Sequence, residues 1–153
     1  RHAVRRIADE CADAGLHAEL WTDTAALPDI AHQLQTLPVP VVIDHMGGFD
    51  VHKGAGDAGF ATLLRLLEGG RTWVKLCAYR NLLGVADVEQ GRPFHRAMLT
   101  ANPERLVWGS DWPHLRVEPQ PDAAAWLERL HTWTADAALV DRILGHNPAA
   151  LYT

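Results

Sequence analysis

The sequence predicts an α/β protein whose parallel sheet has about four strands alternating with helices. Three observations predict it. Short apolar runs, rich in Val, Ile, Leu and Trp, each give way to a stretch with helical periodicity. The strand starts lie roughly 23–34 residues apart, the length of a right-handed βαβ unit. Every strand-like run also ends in polar, reactive side chains, as strands of parallel α/β folds do where function collects. The pattern suits an open doubly wound sheet or half of an eight-stranded barrel, and no G-x-G-x-x-G follows any strand to favour a dinucleotide fold.

Residues 3–14 carry Val4, Ile7, Ala8, Cys11 and Ala12 at helical spacing, and Gly15 closes that helix. Leu16 to Trp21 reads as the first strand. Thr24 to Leu37 reads as a helix with Leu27, Ile30, Ala31, Leu34 and Leu37 on one stripe. Pro38 and Pro40 precede the second strand, Val41-Val42-Ile43. The glycines from Gly47 to Gly59 predict a loop, and Phe60 to Glu68 a helix ending at Gly69-Gly70. Thr72 to Cys77 is the third strand. A helix over 92–101 stops at Asn102-Pro103, and Leu106 to Gly109 is the fourth strand. Asp122 caps a helix running to Thr134. Val140 to Leu144 makes a helical turn or two, and Asn147-Pro148 opens a short last helix.

Composition sets bounds. The chain is one domain's length, 153 residues, with 48% apolar content for a core. A net charge of −5 argues against nucleic acid or an anionic membrane as partner. No apolar run reaches the roughly 18 residues of a spanning helix, and no signal segment opens the chain. Cys11 and Cys77 make no disulfide framework and fit a reducing cytoplasm. The start at Arg1, without Met, reads as the middle of a longer chain.

Chemistry concentrates at the strand ends. The first offers Trp21, Thr22 and Asp23, the second Asp44 and His45, the third Tyr79 and Arg80. Asp23 and Asp44 are each also ordinary turn caps, His45 an ordinary loop histidine and Arg80 an ordinary ion-pair residue. The fourth end, RLVWGSDWPH, is less ordinary, because Asp111 lies between Trp108 and Trp112. Walled by two indoles, its carboxyl is expected to have a raised pKa, which suits a general base acting on water. His45 is then placed to polarise a carbonyl, and the Arg80 fork to grip a carboxylate. Lys75, mid-strand, needs a partner, and Glu19 is the candidate. Cys77 is a rival nucleophile with no base beside it in sequence.

These segments resemble the amidohydrolase-related (amidohydrolase 2) barrel enzymes, closest in look to their 2-pyrone-4,6-dicarboxylate lactonase-like hydrolases. HAELW, VVIDHMGG, WVKLCAYRN and LVWGSDWPH are similar to strands five to eight of that fold, and NPAALY to its terminal helix. The resemblance implies the C-terminal half of a (β/α)8 TIM barrel over residues 1–153, without the first-strand His-x-His. It implies that Asp111 is a metal ligand or general base, that His45 contacts the substrate carbonyl or nearby water, and that Arg80 binds a substrate carboxylate. Trp21, Trp112 and His114 complete the expected substrate-binding set. Trp21 stands where zinc-using members place a histidine, so no metal is expected, with a divalent metal such as zinc as the variant. Gly47 and Gly48 stand where the lactonase branch has an arginine.

The expected function is hydrolysis of a small lactone or amide that carries a carboxylate, in the cytoplasm, with no nucleic acid or membrane partner. The alternatives are a metal-dependent hydrolase or decarboxylase of the same family, and a non-catalytic half-barrel. The chain alone is expected to be inactive, to expose its inward apolar side chains, and to form a homo-oligomer or recruit a missing N-terminal half.

Overall fold

The computed structural model describes residues 2–152. Its sheet has four parallel strands in the order β1-β2-β3-β4: β1 Ala18–Leu20, β2 Val41–Ile43, β3 Thr72–Leu76 and β4 Leu106–Trp108. Leu20 lies beside Ile43, Ile43 beside Val74, and Val74 beside Leu106. Strand order follows chain order, so each helical connection returns the chain to the neighbouring position, as in half of an eight-stranded barrel. Among the described residues the outer edges of β1 and β4 have no strand partner.

The helices are α1 His2–Asp13, α2 Leu27–Gln35, α3 Ala58–Glu68, α4 Arg92–Ala101, α5 Ala123–Thr134, α6 Ala137–Asp141 and α7 Asn147–Leu151. None is long and apolar enough to cross a membrane. Strand side chains alternate between faces. Leu20, Ile43, Val74, Leu76 and Leu106 join the core under the helices with Phe60, Leu63 and Leu67 of α3. Burying each of those three costs little entropy and contributes about 1.5–3 kcal/mol, which outweighs the weak helix propensity of Phe60 and Thr62.

The opposite face carries Glu19, Val42, Trp73, Lys75 and Val107. Here one expectation fails. Val42, Val107 and Trp73 are 0%, 1% and 5% exposed, so the inward apolar side chains are covered. They pack on one another with Leu151, and the Arg105 guanidinium lies 4.8 Å over the Trp73 ring.

Several boundaries also differ. β1 is shorter than Leu16–Trp21, because Trp21 turns outward and is 70% exposed. Gly47 to Gly59 is not plain loop. It holds one-turn helices at His45–Gly47 and Val51–Lys53, and α3 starts at Ala58, where the Asp57 carboxylate accepts from the N–H groups of Gly59 and Phe60. α6 runs through a π-helical turn, Arg142–His146, into α7. Asn147 does not cap that helix. Its buried amide instead donates to the carbonyls of Pro103 and Leu106 and ties the C-terminus to β4.

Candidate active site

The four strand ends meet in one cleft of about 450 Å³ lined by Trp21, Asp44, His45, Arg80 and Asp111 and, beyond them, Trp112, Pro113, Leu115 and Arg116. The backbone marks the same place. Six described non-glycine residues have positive φ, and five of them, His45, Met46, Asp111, His114 and Arg116, follow β2 or β4 at this end. Such conformations persist only where surrounding contacts fix them, and they gather at functional sites. His45 (φ 50°) is held by the Asn81 side-chain amide, which donates to its carbonyl at 2.7 Å. Gly48 closes the turn at φ 58°, where any Cβ would lie 2.7 Å from the Thr22 carbonyl oxygen.

Asp111 is not walled by indoles. Trp112 points to solvent at 78% exposed, and Trp108 packs toward the helix-side core. The neighbours of Asp111 come from the turn after β3. The Tyr79 hydroxyl donates to Asp111 Oδ2 at 2.5 Å and Arg80 Nε donates to the same oxygen at 2.6 Å. The expected rise in pKa is therefore reversed. Burial pulls the Asp111 carboxyl up, but the Tyr79 and Arg80 hydrogen bonds and the Arg80 charge, joined by His45 at the acid pH where its ring is protonated, together hold it below the usual range. The phenol of Tyr79 is pushed up by burial and by this bond.

Arg80 is likewise not a free fork. Its Nε serves Asp111 and its Nη2 donates to the Leu115 carbonyl at 3.2 Å, so the carboxylate it grips is the protein's own. His45 is 7% exposed and its Nδ1 is buried without a hydrogen-bond partner. Burial lowers its pKa, while Asp111 and Asp44 raise it less, so the ring is neutral at neutral pH. Trp21 stands edge-on to the His45 ring, with centroids 5.7 Å apart, and lines the cleft. His114 does not line it. It is 4% exposed, edge-on to Tyr79, and its Nε2–H donates to the Ser110 carbonyl at 3.0 Å, a support for the loop.

Below the cleft the Lys75 ammonium meets Glu19, the expected partner, and lies 2.8 Å from Asp44 Oδ1. Burial alone would lower its pKa, but the two carboxylates reverse this and keep it charged. Asp44 is thus a charge partner and not a turn cap. Asp23 does cap a turn, accepting from the Ala26 N–H at 3.0 Å.

Sequence reasoning placed Tyr79 at a strand end without a role, and saw Cys77 only as a nucleophile. Its thiol is pushed up to about 12, by burial first, so it is protonated and a poor nucleophile. Yet donor atoms of His45, Cys77 and Asp111 all lie within 4.8 Å of one another. One nitrogen, one sulfur and one oxygen donor, with a buried orphan nitrogen on the histidine, fit an open divalent-metal site.

The amidohydrolase family profile matches residues 1–153. The chain belongs to that family. It is 31% identical over 160 residues to a 2-pyrone-4,6-dicarboxylate hydrolase from Comamonas testosteroni, covering 97% of this chain and 52% of that protein. It is 34% identical over 157 residues to a D-galactarolactone isomerase from Agrobacterium fabrum, covering 94% and 52%. The fold superposes on a crystal structure from Agrobacterium tumefaciens with a TM-score of 0.82 at 31% identity, covering 95% of this chain and 53% of that one. The chain spans about half the length of the curated relatives it matches.

Proposed function

We propose that this cleft opens small lactones bearing an anionic group, with Asp111 taking the proton from the attacking water. One observation carries the reading: an ionised carboxylate bonded through one oxygen to Tyr79 and Arg80, beside a neutral buried histidine, at the carboxyl ends of a parallel sheet. The two curated relatives support the substrate class, since a pyrone dicarboxylate and a galactarolactone are both cyclic esters that carry carboxylate. With Oδ2 held by Tyr79 and Arg80, Oδ1 is the oxygen left to meet a water. A base held below the usual range pulls protons less strongly than one near neutrality. Its gain is that it is ionised at every working pH and fixed in direction.

Water adds to the ester carbon while its proton passes to Asp111. The neutral His45 N–H donates to the carbonyl oxygen as negative charge builds there. The ring C–O bond then breaks, and the proton on Asp111 goes to the departing ring oxygen. Hydrolysis of three compounds by the protein carrying this sequence tests the reading: 2-pyrone-4,6-dicarboxylate, its dimethyl ester and an unsubstituted six-membered lactone. Acid release should favour the dicarboxylate in kcat/KM by about 10–100-fold, the worth of one charge-assisted bond. No ring opening, or preference for the neutral lactones, contradicts it.

A second reading rests on the His45, Cys77 and Asp111 cluster. There those residues hold a divalent metal, which would supply a bound water of lowered pKa. Cys77 would give up the proton that burial now keeps on it. Stoichiometric metal in the purified protein, lost in Cys77→Ser, favours this reading; equal activity and no metal in both favour the first.

A further inference from the structure

We propose that Arg116 is the residue that recognises the anionic group of the substrate; this rests on the lactone reading above. Within the cleft lining each of the other charged residues already has an ion-pair partner, Asp44 sharing Lys75 with Glu19 and Asp111 taking Arg80. Arg116 is the remaining charged side chain of the lining, exposed, and without an ion pair among the described residues. The arginine expected to bind substrate, Arg80, has its Nε and Nη2 engaged by the protein, and Gly47-Gly48 put no cation directly after His45.

The position of Arg116 is built. On one side His114 is buried, with its ring on the Ser110 carbonyl and its N–H donating to the Asp111 carbonyl at 2.8 Å. On the other side Val117 is 4% exposed, packed with Cys77 and Tyr79. Between these anchors the chain bulges through Leu115, whose carbonyl accepts from Arg80, and turns at Arg116 with φ 63°. The loop that carries Asp111 thus puts Arg116 on the lining of the same cleft. A planar, permanently charged fork suits a carboxylate or sulfonate. The substrate class that follows is a lactone whose anionic substituent stands away from the scissile carbonyl, so that Arg116 can hold one end while Asp111 and His45 address the other.

Benzene-1,3-dicarboxylate, which cannot be hydrolysed, is the probe, with benzoate and benzamide as controls. Calorimetry on the 153-residue chain should show the dicarboxylate binding more tightly than benzamide. Arg116→Gln should weaken the dicarboxylate by about 10–100-fold and leave benzamide unchanged. Arg116→Lys should retain part of the preference, since it keeps the charge without the fork. Equal dicarboxylate affinity in wild type and Arg116→Gln overturns the assignment while leaving the lactone reading standing. Failure of the wild-type chain to prefer the dicarboxylate overturns both.

Discussion

Asp111 is ionised because of what touches its Oδ2. Two donors on one oxygen favour the charged form more than partial burial disfavours it. The folded carboxyl thus titrates below its unfolded value of about 3.9. By linkage it stabilises the fold above that pH, and the contribution is lost as pH falls through the folded value. Carbon-13 titration of the Asp111 carboxyl should give a midpoint below about 3.9, and Tyr79→Phe should raise it by removing one donor to the ionised form. A midpoint unmoved by Tyr79→Phe would mean that the 2.5 Å bond does not set the charge state. At this scale the sequence was half legible. A lone acid after an apolar strand, an AYRN turn and an aspartate-histidine pair all mark strand ends. That Tyr79 and Arg80 reach Asp111 across more than thirty positions is not local information. Nor is the outward turn of Trp112, so the expected indole walls and raised pKa were wrong.

Lys75 connects the elements. Its ammonium bridges Glu19 on β1 and Asp44 after β2, while its stem fills the space a side chain at Gly109 would take. A Cβ there would lie 2.9 Å from Lys75 Cδ, so a side chain at Gly109 would have to push the Lys75 stem aside. One residue of β3 therefore reaches all three other strands, two of them beside His45 and Asp111. Lys75→Met should destabilise the fold by about 2–3 kcal/mol, since it leaves two carboxylates facing each other without their cation. Gly109→Ala should cost less, because the Lys75 stem can bend. Urea denaturation of both variants checks the order, and a neutral Lys75→Met would contradict the bridging role. The element pattern itself was readable, because apolar period and turn residues are local properties. Boundaries were less so: Trp21 and Gly109 continue an apolar run but leave the ladder, and Asn147 looks like a cap while its amide serves β4.

At the scale of the molecule, one end of the sheet gathers the polar and strained residues of the candidate site, and the rest is packing. Five of the six described left-handed non-glycine residues, the ion-paired Asp44 and Asp111, and the exposed Trp21, Trp112 and Leu115 gather at the strand carboxyl ends. The inner face is closed by Val42, Trp73, Val107 and Arg105 without help from an opposite wall. The parallel alternation could be read from the spacing of the elements, but that spacing suited an open doubly wound sheet equally, and the half-barrel form followed only from the family resemblance of the strand-end segments. The covered inner face could not be read, because it depends on Arg105 folding over Trp73. The central claim is that Asp111 is the base in lactone opening. It is tested most directly by following 2-pyrone-4,6-dicarboxylate hydrolysis with wild-type and Asp111→Asn versions of the protein carrying this sequence. The account predicts a kcat lower by about 10²–10⁴-fold in Asp111→Asn with KM little changed; a kcat within a few-fold of wild type would contradict it.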